Sequence, residues 1–185
     1  MPFLKTRTPL DRKGAIRGVT PWLALLACLI PCPAPAVDSA ETIRASVIEK
    51  IARFIEWPAF DNERFTLCTV VDTSLMAALT GYYETATLAG KPVTLVTFKK
   101  HSPPPYCQAI YLGEKDMDAV DTVLQATRNQ PVLLVAEKED AVSQGVHVDF
   151  FTSADRLHLE VNRRALESSG FKVSYHLLKV ARVVE

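Results

Sequence analysis

A run of five apolar residues, 132–136, constrains the fold of this chain more than any other stretch. The run does not alternate with polar residues, and its β-branched Val132 and Val135 favour a strand. Pro131 precedes it and the charged residues 137–140 follow it, so it is too short for a buried helix. A strand that is apolar on both faces lies inside a sheet covered by helices on both sides. The run therefore predicts an α/β fold.

The segments before this run alternate between helical and strand-like periodicity, as the same fold requires. Strands are predicted over residues 65–71, 93–98 and 107–112, and helices over residues 75–82 and 117–124. An amphipathic helix is predicted from a capping pair, Asp38 and Glu41, to Trp57, where Pro58 ends it. Its apolar stripe packs in the core or, alternatively, on a partner.

The pattern changes after residue 145. Residues 146–151 and 156–161 each alternate between apolar and polar side chains, which predicts an antiparallel hairpin with one partly exposed face. Asn162 is a helix cap for residues 163–169, and a last helix is predicted from Ser174 to Ala181. We therefore expect one layered domain with a mainly parallel sheet, flanking helices and an antiparallel hairpin near the C-terminus.

The N-terminus has the organisation of a secretory signal peptide. Basic residues come before an apolar stretch over residues 19–30, and Ala34-Pro35-Ala36 offers a small-x-small cleavage site. The stretch is shorter than the roughly 20 residues that span a bilayer. We expect residues 1–36 to be removed and residues 37–185 to form an exported α/β domain without membrane insertion. Lipid attachment at Cys28, after Leu25-Leu26-Ala27, is the alternative.

Removal of residues 1–36 leaves 16 Lys/Arg and 20 Asp/Glu, a net charge of about −4. That balance argues against binding to nucleic acid or anionic lipid. Cys68 and Cys107 are the two cysteines that remain, and in an oxidising compartment they most simply form one disulfide. A nucleophilic or redox-active pair is the alternative, although such pairs usually have a close Cys-x-x-Cys spacing.

No motif in the sequence requires an enzyme, a metal or another cofactor. The glycines do not form a phosphate-binding loop, and the four histidines show no zinc-ligand spacing. Asp72, at the end of a predicted strand, is either a helix cap or a functional carboxylate. His158 and Glu160 share one strand face, where they form either an acid–base pair or part of a solvated surface.

The C-terminal third resembles the YfiR family, and further landmarks follow in the family's order along the whole predicted domain. The C-terminal resemblance rests on Leu159-Glu160-Val161-Asn162, Ala165, Gly170-Phe171, Ser174, Leu177-Leu178 and Ala181. The remaining landmarks are Phe54, Trp57-Pro58, Cys68, Leu88, Gly90-Lys91-Pro92-Val93, Cys107, Pro131-Val132-Leu133 and Gly145.

The resemblance implies a dimer-forming periplasmic regulator without enzymatic activity. It implies repression of an inner-membrane diguanylate cyclase, or a similar membrane sensor, through the partner's periplasmic domain, which lowers cyclic di-GMP and biofilm formation. It places the family's central disulfide on Cys68 and Cys107, and partner contact near Glu160 and Leu166. A second bridge has no counterpart, because Cys28 and Cys32 lie in the predicted signal. A periplasmic small-molecule-binding module and an enzyme with a dispersed site remain alternative interpretations.

Overall fold

The computed structural model describes residues 39–103 and 106–185, so the predicted signal peptide and Cys28 lie outside the described residues. Helices and strands alternate along the described chain, with two 3-10 segments at Glu114–Ala119 and Ala141–Gln144. The elements are α1 Ala40–Arg53, β1 Ile55–Glu56, β2 Phe65–Val70, α2 Thr73–Tyr83, β3 Thr87–Leu88, β4 Lys91–Phe98, β5 Ala109–Leu112, α3 Val120–Ala126, β6 Leu133–Ala136, β7 Val148–Ser153, β8 Arg156–Asn162, α4 Arg163–Ser168, β9 Lys172–Val173, α5 Tyr175–Val180 and β10 Arg182–Val184.

The sheet confirms the predicted α/β class. In the described residues its strand order is β10-β8-β7-β6-β5-β2-β4-β3. Strands β4, β2, β5, β6 and β7 are parallel, whereas β7 and β8 form the predicted antiparallel hairpin. Strand β6 lies inside the sheet and all four of its residues are buried, as expected from its unbroken apolar run. The winding reverses between β2 and β5, and α/β sheets commonly bind ligands at such a switch point.

Two apolar cores cover the opposite faces of the sheet. In β6, Leu133 and Val135 join one core with α1, α2, α4 and α5, and Leu134 and Ala136 join the other with α3. The predicted disulfide between Cys68 and Cys107 lies in the second core, with the two Cα atoms 6.0 Å apart. It connects β2 to the loop before the adjacent β5.

The first helix begins later and ends earlier than its sequence pattern predicts. Ser39 is its cap, accepting a hydrogen bond from the Thr42 N–H, and Asp38 lies outside the described residues. The helix ends at Arg53 instead of Trp57, because the chain then pairs as β1 with β9. Most of its apolar stripe is buried in the core, but Ile43 is 49% exposed.

The prediction of one exposed face along the C-terminal hairpin is wrong for the part nearest the sheet. His147, Asp149 and Glu160, assigned to the polar face, are all buried. Segments distant from the hairpin strands explain this, because the 3-10 segment Ala141–Gln144 packs against β7 and β8 and Arg182 of β10 pairs with Glu160. The short strands β1, β3, β9 and β10 were not predicted, since two or three residues give too little periodicity.

Candidate partner-binding site

The hairpin of β7 and β8 projects beyond the rest of the sheet. Strand β6 pairs with Val148 and Asp149 alone in β7, and β10 pairs only with residues 160–162 of β8. Among the described residues, 150–153 and 156–159 therefore pair only with each other, and we call them the hairpin arm. On this arm Phe151 stacks on His158, with ring centroids 5.1 Å apart.

Glu160, at the base of the hairpin arm, forms an ion pair with Arg182 from β10. Arg182 Nε donates to Glu160 Oε1 at 2.5 Å, and Arg182 Nη2 donates to Asp140 Oδ1 at 2.8 Å. The Glu160 residue is 3% exposed, whereas the Arg182 side chain is 58% exposed. The two carboxylates raise the pKa of the Arg182 guanidinium. Arg182 thus presents a fixed positive charge above a buried negative one and joins three segments that are distant in sequence.

Asp149 faces Glu160 across the strand pair. The two residues are register partners in β7 and β8, and Asp149 is completely buried. Its Oδ2 accepts the Val142 N–H at 2.9 Å, and its Oδ1 has no hydrogen-bond partner among the described residues. Burial, with a smaller contribution from the charge of Glu160, raises the pKa of Asp149 to about 7. Near neutral pH this carboxyl group is therefore partly protonated.

The structure places Leu166, which the resemblance puts near the partner contact, inside the protein. Leu166 is completely buried in the core formed with α1 and α2. Helix α4 is fixed above this position because the Asn162 side chain accepts the Ala165 N–H, as the predicted cap should. Leu166 therefore positions α4, and the exposed surface near Glu160 comes from other residues.

The structure also bears on the two candidate catalytic groups, the His158–Glu160 pair and Asp72. His158 is exposed on the hairpin arm while Glu160 binds Arg182, so the two do not form an acid–base pair. Asp72 caps α2 by accepting the N–H groups of Ser74 and Leu75. The hydrogen bond from Leu75 is the main cause of the lowered pKa of Asp72. Both observations favour the structural interpretation of these residues.

His147 is buried as a neutral side chain between the sheet and α4. Its Nδ1 accepts the Leu134 N–H at 2.9 Å, so its Nε2 carries the proton and donates to Ser169 Oγ at 2.9 Å. Burial lowers the pKa of His147 to about 4. This histidine ties β6 to the end of α4 and has a structural role.

A cleft of about 200 Å³ lies away from the hairpin arm, at the switch point between β2 and β5. Glu137 accepts from Arg44 Nε at 2.6 Å and from the Tyr111 hydroxyl at 2.5 Å. Burial and the Glu137 charge raise the pKa of Tyr111, so its hydroxyl stays protonated. The cleft thus offers one guanidinium group among several carboxylates, at a place where α/β domains hold small ligands.

Within residues 39–103 and 106–185, no helix is long and apolar enough to cross a membrane. The same residues contain no group of three or more His, Cys, Asp or Glu side chains arranged to hold a metal ion.

Comparison with solved structures supports the fold. A conserved domain protein from Vibrio cholerae O1 biovar El Tor aligns with a TM-score of 0.59 and 12% sequence identity, over 80% of this chain. The ABC domain from Streptococcus pneumoniae, solved in complex with L-Trp, aligns with a TM-score of 0.54 and 12% identity, over 78% of this chain. This chain spans about 60% of the length of each of those chains. No curated protein sequence matches it significantly.

The fold and the site together define a doubly wound α/β domain with a projecting hairpin and an ion-paired base. The sequence profile of the DUF4154 family, described as YfiR/HmsC-like, matches residues 41–182. The chain belongs to this family, as its motifs predicted. The family is one of periplasmic regulators in the diguanylate cyclase pathway, and it is regulatory and not catalytic.

Three residues of the site were missed in the sequence: Asp140, Asp149 and Arg182. The β-branched pair Val183-Val184 was the available signal for a strand that would place Arg182 on a sheet edge. Asp149 was assigned to an exposed face, and nothing local in the sequence indicates that Val142, in the 3-10 segment, covers it.

Proposed function

We propose that this protein binds the periplasmic sensing domain of an inner-membrane diguanylate cyclase and represses the enzyme. Repression lowers cyclic di-GMP and, with it, biofilm formation. Binding holds the sensing domain in one of two states, and release shifts the population towards active cyclase. Membership of the YfiR/HmsC-like family over residues 41–182 is the observation that carries this proposal.

We further propose that partner contact is centred on the base of the hairpin arm. Glu160 is nearly buried, so it acts by holding Arg182 and, through it, Asp140 in place. Leu166 is buried and supports this surface from within by positioning α4. In this proposal, the two residues that the family resemblance places near the partner are positioning residues, and Arg182 with the hairpin arm makes the contact.

The location and the assembly state complete the proposal. The protein is exported, cleaved after Ala36 and active as a homodimer. Intact mass of the protein recovered from periplasm tests the cleavage, because a lipid on Cys28 would give a larger and acylated product. Light scattering of the same material tests the dimer.

Cellular cyclic di-GMP tests repression directly. We expect its level to rise in a strain lacking the protein and to return on complementation with the wild-type chain. Complementation with Glu160→Gln separates the ion pair from the shape of the side chain, since glutamine retains the shape without the charge. Unchanged cyclic di-GMP in the deletion strain, with the wild-type protein present in the parent, would remove the cyclase from this proposal.

A small-molecule-binding module is a second candidate function, favoured by the cleft at the switch point. Arg44 is held there by Glu137, and this guanidinium is suited to a carboxylate. The S. pneumoniae domain with a similar fold was solved with L-Trp, so amino acids are the first ligands to test. Calorimetric titration with L-Trp would support this function if binding occurs and is lost in Arg44→Ala. Absence of heat for L-Trp and for a panel of amino acids would count against it.

A further inference from the structure

A groove runs between the hairpin arm and the loop after β6. It consists of two shallow clefts, of about 450 and 510 Å³, that share Glu139, Asp140 and Phe151. The clefts are therefore continuous, and we call them together the hairpin groove. One end reaches Arg182 and Val180 near the C-terminus, and the other end reaches Glu114.

Negative charge predominates along the hairpin groove. Its walls contain five carboxylates and two permanent cations, Lys138 and Arg182. Arg182 is already paired with Glu160 and Asp140, which leaves Glu139 as an exposed carboxylate with no ion pair among the described residues. Such a rim attracts cations and repels anionic lipid and nucleic acid.

Apolar side chains lie along the same groove. Leu157 is 53% exposed and Val180 is 73% exposed, although both are large enough to favour burial. Both line the same cleft as Phe151, a half-buried residue of the hairpin arm. An apolar floor beside a charged rim is the general anatomy of a protein-binding surface.

A buried oxygen atom at the base of the groove is an independent sign of a missing partner. Glu160 lines the groove and is 3% exposed, and its Oε2 has no hydrogen-bond partner among the described residues. Buried carboxylate oxygens are almost always hydrogen-bonded, because the unpaired state costs desolvation free energy. This atom lies below the surface, so a donor of the partner reaches it when the exposed Arg182 side chain paired with Glu160 moves aside.

We propose that the hairpin groove binds a basic amphipathic segment of the partner protein. Its Lys or Arg side chains contact the carboxylate rim at Glu139. One apolar side chain packs on Phe151 and a second on Leu157, which lies on the other face of the hairpin arm. One donor group of the segment lies over Glu160. This inference rests on the proposed function for the identity of the partner and adds the chemistry that recognises it.

The test uses the processed protein purified from periplasm and the detergent-solubilised full-length cyclase. Glu139→Lys reverses a rim charge, and Leu157→Ser removes an apolar contact. Glu63→Lys and Ile43→Ser are matched controls, since both residues are exposed and neither lines the groove. We expect each groove variant to weaken binding about tenfold or more, and the controls to bind like the wild type.

Several results would overturn the inference. If the groove variants bind the cyclase as tightly as the controls do, the contact lies elsewhere. If they change the oligomeric state of the protein and leave cyclase binding intact, the groove is an interface between two copies.

A second experiment, with a synthetic peptide, tests the inference independently of the proposed function. A synthetic peptide of alternating Lys and Leu is titrated into the labelled protein, with a Glu-for-Lys peptide as control, and amide chemical shifts locate its contact. Shifts in residues 137–140 and 151–160 with the basic peptide alone would support the inference. If the cyclase itself does not bind, the proposed function fails, but these shifts would still support the chemistry of the groove. Shifts elsewhere, or equal shifts with both peptides, would overturn it.

Discussion

Asp149→Asn tests whether the buried carboxyl group at the base of the hairpin makes stability depend on pH. Asp149 is completely buried, opposite Glu160, and its Oδ1 has no hydrogen-bond partner in the described part of the chain. Its pKa is about 7 in the folded protein, against an ordinary value of 3.8. The folded state therefore holds a proton that the unfolded state releases, and stability falls as pH rises between those two values.

The size of the effect follows from the two pKa values. A difference of about three pH units at about 1.4 kcal/mol each gives a cost on the order of 4 kcal/mol above the folded-state pKa. Of this loss of stability, about 3 kcal/mol falls between about pH 5 and about pH 8. Asparagine has the same shape and carries no charge, so the variant should gain about this much over the wild type across the interval.

Urea denaturation of both proteins at about pH 5 and about pH 8 measures the gain. The difference between variant and wild type isolates Asp149 with its coupling to Glu160, because His147 and the other titrating groups contribute equally to both. Asp155→Asn, an identical change on the exposed hairpin turn, is the control. A stability difference between Asp149→Asn and wild type that does not change with pH would refute the reasoning.

Three further predictions concern the structural residues of the domain. His147 is held neutral in the folded protein, with a pKa of about 4. As pH decreases from about 6.5 to about 4, the wild type should therefore lose about 3 kcal/mol more stability than His147→Gln. Urea denaturation at several pH values measures this loss, and parallel pH profiles of the two proteins would contradict it. Leu166→Ala should lower the free energy of unfolding by about 2–5 kcal/mol, and Leu166→Asp should prevent folding, because Leu166 is completely buried. Circular dichroism follows both variants, with Ile43→Ala as the control. A folded Leu166→Asp protein would disprove the burial described for α4. Replacing Cys68 and Cys107 together by alanine should lower the free energy of unfolding by about 4 kcal/mol in the chain-entropy model, and the variant should no longer respond to reductant; an unchanged urea midpoint would mean that the bridge adds no stability.

Local features of the fold were predictable because they depend on neighbouring residues. The run at residues 132–136 indicated a strand buried on both faces, and the structure places it inside the sheet. Asp72 and Asn162 were predicted as caps because their side chains reach N–H groups two or three residues ahead. The disulfide followed from a count, since two cysteines remain after the predicted signal.

The candidate site was only partly predictable, because its chemistry comes from contacts distant in sequence. Alternation placed Glu160 and Asp149 on one face of the hairpin but could not indicate what covers that face. The covering groups are Arg182 of β10 and the backbone of Val142. Burial of Leu166 likewise depends on α1 and α2, more than 80 residues earlier in the chain.

The sequence by itself determined the α/β class, the central strand, the disulfide and the family, because periodicity, capping and motif order are written in neighbouring residues. Tertiary structure alone decided the charge state and the exposure of the site. The same carboxylate is an exposed surface group or a buried ion-pair partner according to whether a three-residue edge strand docks beside it. That docking is a balance of desolvation and ion pairing across 22 residues of chain, which no local pattern records.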